Sequence, residues 1–234
     1  KTVITVQRNL REALPNSFVL GFDIDFTDAT NVKDVTDQGY YMDGCPTVGS
    51  PKVLVIPVEF KDVTAASKGY STSVLEKAFN DREDDSYYSV YEYYNISSYG
   101  KLELDIEVLD DWFMPKYDSN YYYNATYDYY GSEIEIGDQL IMDEALAYLA
   151  GFMDLSEFDS DNNNIIDAVV LVNTLDVGED NFHWAYRYWN IYTDEDDYYY
   201  EYDGVSANDY LWASYQFLYE NYDSEGKVAY DDPS

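Results

Sequence analysis

The stretch Phe158–Thr174, FDSDNNNIIDAVVLVNT, sets Asp159, Asp161, Asn163 and Asp167 along one acidic loop, with the backbone carbonyl of Ile165 filling the gap in their alternation. Oxygen donors brought round a tight turn are the way a hard cation such as Ca²⁺ is wrapped. Carboxylates crowded into one turn also repel each other unless a cation offsets them. An Asn- and Asp-rich turn forms without metal as well, because these side chains bond their own backbone. Two positions depart from the EF-hand pattern: Asn164 stands where Gly is usual, and Val170 replaces the bidentate Glu. Asn tolerates the left-handed conformation, and Asp167 closes the loop earlier than the missing Glu. The expectation is a structural Ca²⁺ site with Asp159, Asp161, Asn163, Asp167 and the Ile165 carbonyl as ligands.

Other chemistry is thin. His183 is the single histidine, and one imidazole makes no tight zinc site. No Gly-x-Ser-x-Gly elbow accompanies it, so a serine hydrolase has no support. A glycosidase-like carboxylate pair cannot be singled out among 47 Asp and Glu residues. Asn95-Ile96-Ser97 and Asn124-Ala125-Thr126 match the glycosylation sequon, which matters only in a suitable host. The acidic TDEDD run at 193–197 reads as a solvated loop. No catalytic and no cofactor-binding residue is assigned.

Composition narrows the partners. The 234 residues carry a net charge of −34 with only 13 Lys and Arg, which excludes nucleic acid as an expected partner. The 29 Tyr suit half-exposed β-structure and also glycan or peptide contact. Cys45 is alone, so no intramolecular disulfide forms. No apolar run reaches membrane-spanning length. Acid surplus, a calcium-type loop and a first residue Lys1 in place of Met lead to the expectation of a secreted or cell-surface protein.

The elements that must position the loop follow from periodicity. Phe18–Phe26 alternates as a strand, and 28–50 reads as loop. Val53–Phe60 is an apolar run covered on both faces, with Pro57 arguing for an edge or a bulge. Helices are expected over Ser73–Asn80 and Ser86–Ser97, the latter presenting Tyr87, Val90, Tyr91 and Tyr94 on one face and ending at Gly100. Leu102–Leu109 alternates as a half-buried strand, and Tyr117–Tyr130 shows no period and reads as loop. Ser132 and Glu135 spell a capping box opening a helix to about Ala150, its buried side being Ile134, Ile141, Ala145, Tyr148 and Leu149. Gly151 caps it and Phe152 folds back on the last turn. The helix, the acidic loop and the Ala168–Thr174 strand form a crossover in a sheet with parallel pairs. Tyr186–Thr193 and Tyr198–Tyr202 read as an irregular hairpin. Ser206–Tyr222 fits strand or helix, with strand favoured over its first half, and Tyr230–Ser234 reads as a helix start.

Three phrases then add up: DGCPTVGSPKVLVIPVEFKD (43–62), SVYEYYNISSYGKLELDIEVLDDWF (89–113) and FDSDNNNIIDAVVLVNT (158–174). In their order and spacing the chain resembles secreted bacterial metalloproteases of the immune inhibitor A type, over roughly residues 43–234. The resemblance implies a zincin-like α+β fold: a twisted mixed β-sheet with flanking helices, here joined by the calcium-type acidic loop, ahead of an active-site helix carrying His-Glu-x-x-His. That motif is absent from residues 1–234. The resemblance places it just beyond Tyr230–Ser234, so Zn²⁺ is expected only in a longer parent chain. It also leads one to expect a histidine where Tyr186 stands in His183-Trp184-Ala185-Tyr186.

The resulting expectation is a lead-in segment at 1–50 and, at 51–234, the N-terminal portion of a zinc metalloendopeptidase catalytic domain. This portion is inactive alone and meets its protein or peptide substrate through the parent enzyme. The alternative is a non-catalytic extracellular module, calcium-stabilised, that binds or scaffolds.

Overall fold

The computed structural model describes residues 44–82, 89–189 and 201–218, all within the compact unit Asp43–Ser234. The sequence expectations for 18–26 and 230–234 lie outside them. In chain order the elements are β1 (Lys52–Val58), α1 (Ala65–Lys68), α2 (Thr72–Asn80), α3 (Val90–Ser97), β2 (Asp105–Val108), α4 (Ser119–Tyr123), β3 (Thr126–Tyr129), β4 (Ser132–Glu135), α5 (Gly137–Leu149), β5 (Ala168–Asn173), β6 (Tyr186–Trp189), β7 (Glu201–Tyr202), β8 (Val205–Ser206) and β9 (Asp209–Ser214). Five strands form a mixed sheet in the order β2-β1-β5-β9-β6. The first four run parallel, and β6 lies antiparallel on the edge.

The alternation of the strands sorts two cores. Leu54, Ile56, Val169, Leu171, Tyr210 and Trp212 cluster with Ile141, Met142, Ala145 and Leu146 of α5. Val53, Val55, Ile106, Val170 and Val172 cluster with Ala65, Leu75, Ala78 and Phe79 of α1 and α2. Strands β1 and β5 are buried on both sides, which is why they read as unbroken apolar runs. Each such aliphatic side chain contributes about 1.5–3 kcal/mol by leaving water. The helix–loop–strand path from α5 to β5 is a crossover in a sheet with parallel pairs, as the sequence implies.

Pro57 is a correction. It sits in β1, a central strand of the sheet, opposite Val172 of β5. The chain tolerates it because β2 ends opposite Val55. Beyond that point the Pro57 carbonyl accepts the Phe113 amide at 2.8 Å, and the next donor on that side is Glu59, bonded to the Phe113 carbonyl at 2.9 Å. The missing N–H thus falls where no strand partner waits for it.

The segment 117–135 is the second correction. Asp118 accepts the Tyr121 amide at 3.0 Å and starts α4 inside the tract read as loop. Ser132 and Glu135 do not form a capping box. They lie in β4, paired with Tyr129 and Thr126 across a turn in which Tyr130 and Gly131 both have positive φ. Helix α5 starts later, at Gly137, with Ile136 as an N-cap lacking a side-chain bond. Ile134 therefore lies in a strand, and Tyr148 is exposed, whereas Ile141, Ala145 and Leu149 are buried. Phe152 does fold back, its ring 5.1 Å from that of Tyr148.

Elsewhere boundaries shift for local reasons. Helix α3 begins at Val90 because Ser89 caps it, accepting the Glu92 amide. None of its residues is fully buried. Gly100, at φ 72°, ends it with a bond to the Asn95 carbonyl. The expected hairpin of 186–193 with 198–202 is not made by the described residues: β6 pairs with β9, and β7 pairs with β8. Residues 190–200 of that expected hairpin lie outside the described residues; Tyr186 and Tyr188 pack, partly buried, against the core. Strand character in the first half of 206–222 is present as β9.

Two outcomes follow from these contacts. A Cβ at Gly137 would stand 2.0 Å from the Tyr122 carbonyl oxygen, so Gly137→Ala is expected to cost about 1–3 kcal/mol in a urea titration. On α5, Asp143 has a buried Oδ2 with no hydrogen-bond partner among the described residues. Burial pushes its carboxyl up to about 7. The native state then holds this proton more tightly than the unfolded chain. Its contribution to stability is present at pH 4 and is lost as pH rises through 7. Melting temperatures measured from pH 4.5 to 8 should decline across that window, and Asp143→Asn should flatten the decline.

Candidate metal centre

A short 3₁₀ helix, Leu155–Phe158, carries the chain from α5 into the acidic loop. Asp154 caps it through the Ser156 amide, and the buried Leu155 and Phe158 anchor it in the core. The base of the loop closes where the Asp167 amide bonds the Phe158 carbonyl at 2.7 Å. Inside, Asn162 and Asn164 take positive φ values of 60° and 67°, the conformation that Asn tolerates. Asn164 thus does the work of the usual Gly.

The loop side chains point inward and organise the backbone. Asp159 accepts the amides of Asn163 at 3.0 Å and Asn164 at 2.8 Å. Asp161 accepts the Asn163 amide at 3.2 Å, and the Asn163 side-chain oxygen accepts the Ile165 amide at 2.8 Å. Asp167, only 3% exposed, accepts the Lys52 amide of β1 at 2.8 Å and the Ser160 amide at 3.2 Å. One oxygen each of Asp159, Asp161 and Asp167 lies within 4.8 Å of the other two. Calcium–oxygen bonds of about 2.3–2.6 Å put two ligands of one ion no more than about 5 Å apart, so the spacing suits a shared ion.

The charge balance points the same way. Among the described residues no Lys or Arg pairs with the three carboxylates; the Lys52 ammonium goes to Glu157 at 3.3 Å. Partial burial, then the charges of Asp167 and Asp159, hold the Asp161 carboxyl above its ordinary value. Burial, joined by the Asp167 charge, pushes the Cys45 thiol up to about 12, so it is no nucleophile. The donors are all oxygens with uncompensated charge, which fits a hard divalent cation. Asp159, Asp161 and Asp167 are brought together. Asn163 and Ile165 share the same turn, and the Asn163 oxygen keeps a second lone pair beyond its backbone bond.

Contacts that sequence reading missed hold the loop from outside. Ser206 of β8 donates its amide to the Asn164 carbonyl at 3.0 Å and accepts the Ile166 amide at 2.9 Å. Asp203, at the β7–β8 turn, accepts the Leu155 amide at 3.2 Å. No local signal marks these partners, which lie some forty residues downstream.

His183 is held apart from the loop's chemistry. Its Nδ1 lies 2.7 Å from Asp180, and its ring leans on Tyr123 and Phe182. Tyr186, standing where a histidine was expected, packs partly buried against the core. Its hydroxyl shares the buried Asp138 carboxylate with Tyr210, whose oxygen is 2.6 Å away. Burial raises both phenols and Asp138 itself, the hydroxyls opposing the shift on the carboxyl.

The two ends of the loop separate by their metal-free roles. Asp167→Ala should destabilise the chelator-treated protein by about 1–3 kcal/mol, since two backbone amides lose their acceptor. Asp161→Ala, exposed, should leave that stability nearly unchanged while weakening cation binding; differential scanning calorimetry with and without Ca²⁺ reads both. No protein family and no curated protein matches the chain.

Proposed function

We propose that residues 43–234 are the sheet-bearing part of a secreted zinc metalloendopeptidase catalytic domain, stabilised by Ca²⁺ in the acidic loop. The observation that carries this reading is the placement of Asp159, Asp161 and Asp167 between a crossover helix and a buried parallel strand of a mixed sheet. That is the order of parts which the phrases at 43–62, 89–113 and 158–174 imply. The peptide-hydrolysing chemistry is not supplied by these residues. A His-Glu-x-x-His helix needs two imidazoles for Zn²⁺ and a Glu to activate the bound water, whereas His183 is the only histidine in the chain. In this reading the zinc ligands come from further residues of the parent polypeptide, and the present ones build the scaffold beside the cleft.

A second reading draws on the surface. Tyr93, Tyr99 and Tyr130 are 55%, 75% and 92% exposed, and phenol rings of this kind suit a calcium-stabilised module that binds glycans or proteins without catalysis.

Excess Ca²⁺ should raise the melting temperature of the 234-residue protein and EDTA should lower it; an unmoved midpoint sinks the calcium part of the proposal. The enzyme part is tested on the product of the whole natural reading frame. Zinc-dependent caseinolysis, lost on replacing the motif's Glu, supports it. A frame without His-Glu-x-x-His transfers the protein to the second reading.

A further inference from the structure

We propose that Tyr117 and Tyr121 form an oxidative cross-linking site, where a one-electron phenol oxidant, such as a peroxidase with H₂O₂, joins the two rings as dityrosine. Their ring centroids lie 4.0 Å apart, with the planes tilted by 31°. Both residues reach solvent, at 37% and 49% exposure.

Carboxylates hold the backbone that carries the pair. Asp118, next to Tyr117, caps α4 by accepting the Tyr121 amide at 3.0 Å. Asp62 accepts the amide and the hydroxyl of Ser119 at 3.0 and 2.6 Å. Glu144 of α5 accepts the Lys116 amide at 2.9 Å and the Tyr122 hydroxyl at 2.7 Å. The chain around both rings is thereby tied to α5 and to the turn after β1. The reacting groups start close, and the entropy of bringing them together is already spent on folding.

Among the described residues no other pair of tyrosine rings joins this proximity to access. Tyr70 and Tyr215 also stack at 4.0 Å, but both are buried, and the Tyr215 hydroxyl donates to the Ser71 carbonyl at 3.1 Å. Tyr122 meets Tyr121 edge-on at 5.2 Å and is buried as well. Tyr93 and Tyr94 meet edge-on at 5.3 Å as adjacent residues of α3, where side chains diverge around the helix. Tyr186 and Tyr188 stand 6.3 Å apart.

In the reaction each phenol gives one electron and one proton to the oxidant. The two phenoxyl radicals couple through ring carbons beside their hydroxyls, and the displaced ring hydrogens pass to the oxygens and restore both phenols. H₂O₂ takes up the two electrons and two protons and leaves as two waters. The linked protein is lighter by two hydrogens. Ring centres in a biaryl sit about as far apart as these do, so coupling asks exposed rings to turn rather than to travel, a fast motion at a protein surface.

The test treats the dilute 234-residue protein with a haem peroxidase and limiting H₂O₂; repulsion at a net charge of −34 keeps copies apart. Recovered monomer is read by dityrosine fluorescence and by mass spectrometry of its proteolytic peptides. The expected product carries its main link between Tyr117 and Tyr121. Tyr117→Phe and Tyr121→Phe should each lower the fluorescence about threefold or more. Tyr99→Phe, exposed and without a ring neighbour among the described residues, should leave it unchanged. Absence of the 117–121 link from the wild-type monomer overturns the inference, as does a yield that neither substitution lowers. Oxidation in urea separates the fold from mere spacing along the chain: the link should fade there, and one that forms equally well overturns the inference too. Peptide mapping of the wild type needs no variant, so it decides the matter even where a substitution fails to fold.

Discussion

A carboxylate buried at the end of the sheet, Asp167, is the contact on which the described structure turns. It takes the Lys52 amide at the start of β1 and the Ser160 amide inside the loop, while its own amide closes the loop on Phe158. Burying such a group is costly unless its lone pairs are used. Here they fix three things together: where β1 begins against β5, where the acidic turn closes, and how Asp159 and Asp161 converge. The strands give the carboxylate its donors, and the carboxylate gives the strands their register.

A second polar fixture lies between α5 and the sheet. Asp138, in the first turn of α5, faces the helix's own unsatisfied amides and is held by the hydroxyls of Tyr186 and Tyr210. It joins α5 to β9 and to the antiparallel edge strand β6. The apolar clusters supply most of the driving force, yet they do not choose between sliding alternatives; these buried oxygens do. Tyr-rich composition thus has a structural use, since Tyr122, Tyr210 and Tyr215 are among the most buried large side chains.

What the sequence made legible was what local pattern controls. The apolar runs at β1 and β5 and the alternation at β2 read correctly because burial on two faces or one leaves a direct mark. Asn164 was readable as a left-handed position, and the acidic loop stood out by the density of its oxygens. The 126–135 hairpin was not readable as such, because Ser132 and Glu135 have the spacing of a capping box and the pattern does not show the pairing with β3. Pro57 was misplaced because its permissiveness depends on where β2 stops. The clamp from Ser206 on Asn164 and Ile166 is a contact between distant segments, and no spacing along the chain encodes it.

The parallel pairing of β1 with β5 also has a kinetic meaning. Lys52 and Asp167 are 115 residues apart, so the chain must close a long loop before that pair returns any energy. A sheet built on such pairs has high contact order and folds slowly beside a helical bundle of its size. During that delay the strands of β1 and β5, apolar on both faces, are the segments most exposed to pairing with another chain. The dense negative charge of the polypeptide keeps such encounters repulsive, so the acidity that reads as a mere bias of composition acts as protection while the sheet is still open.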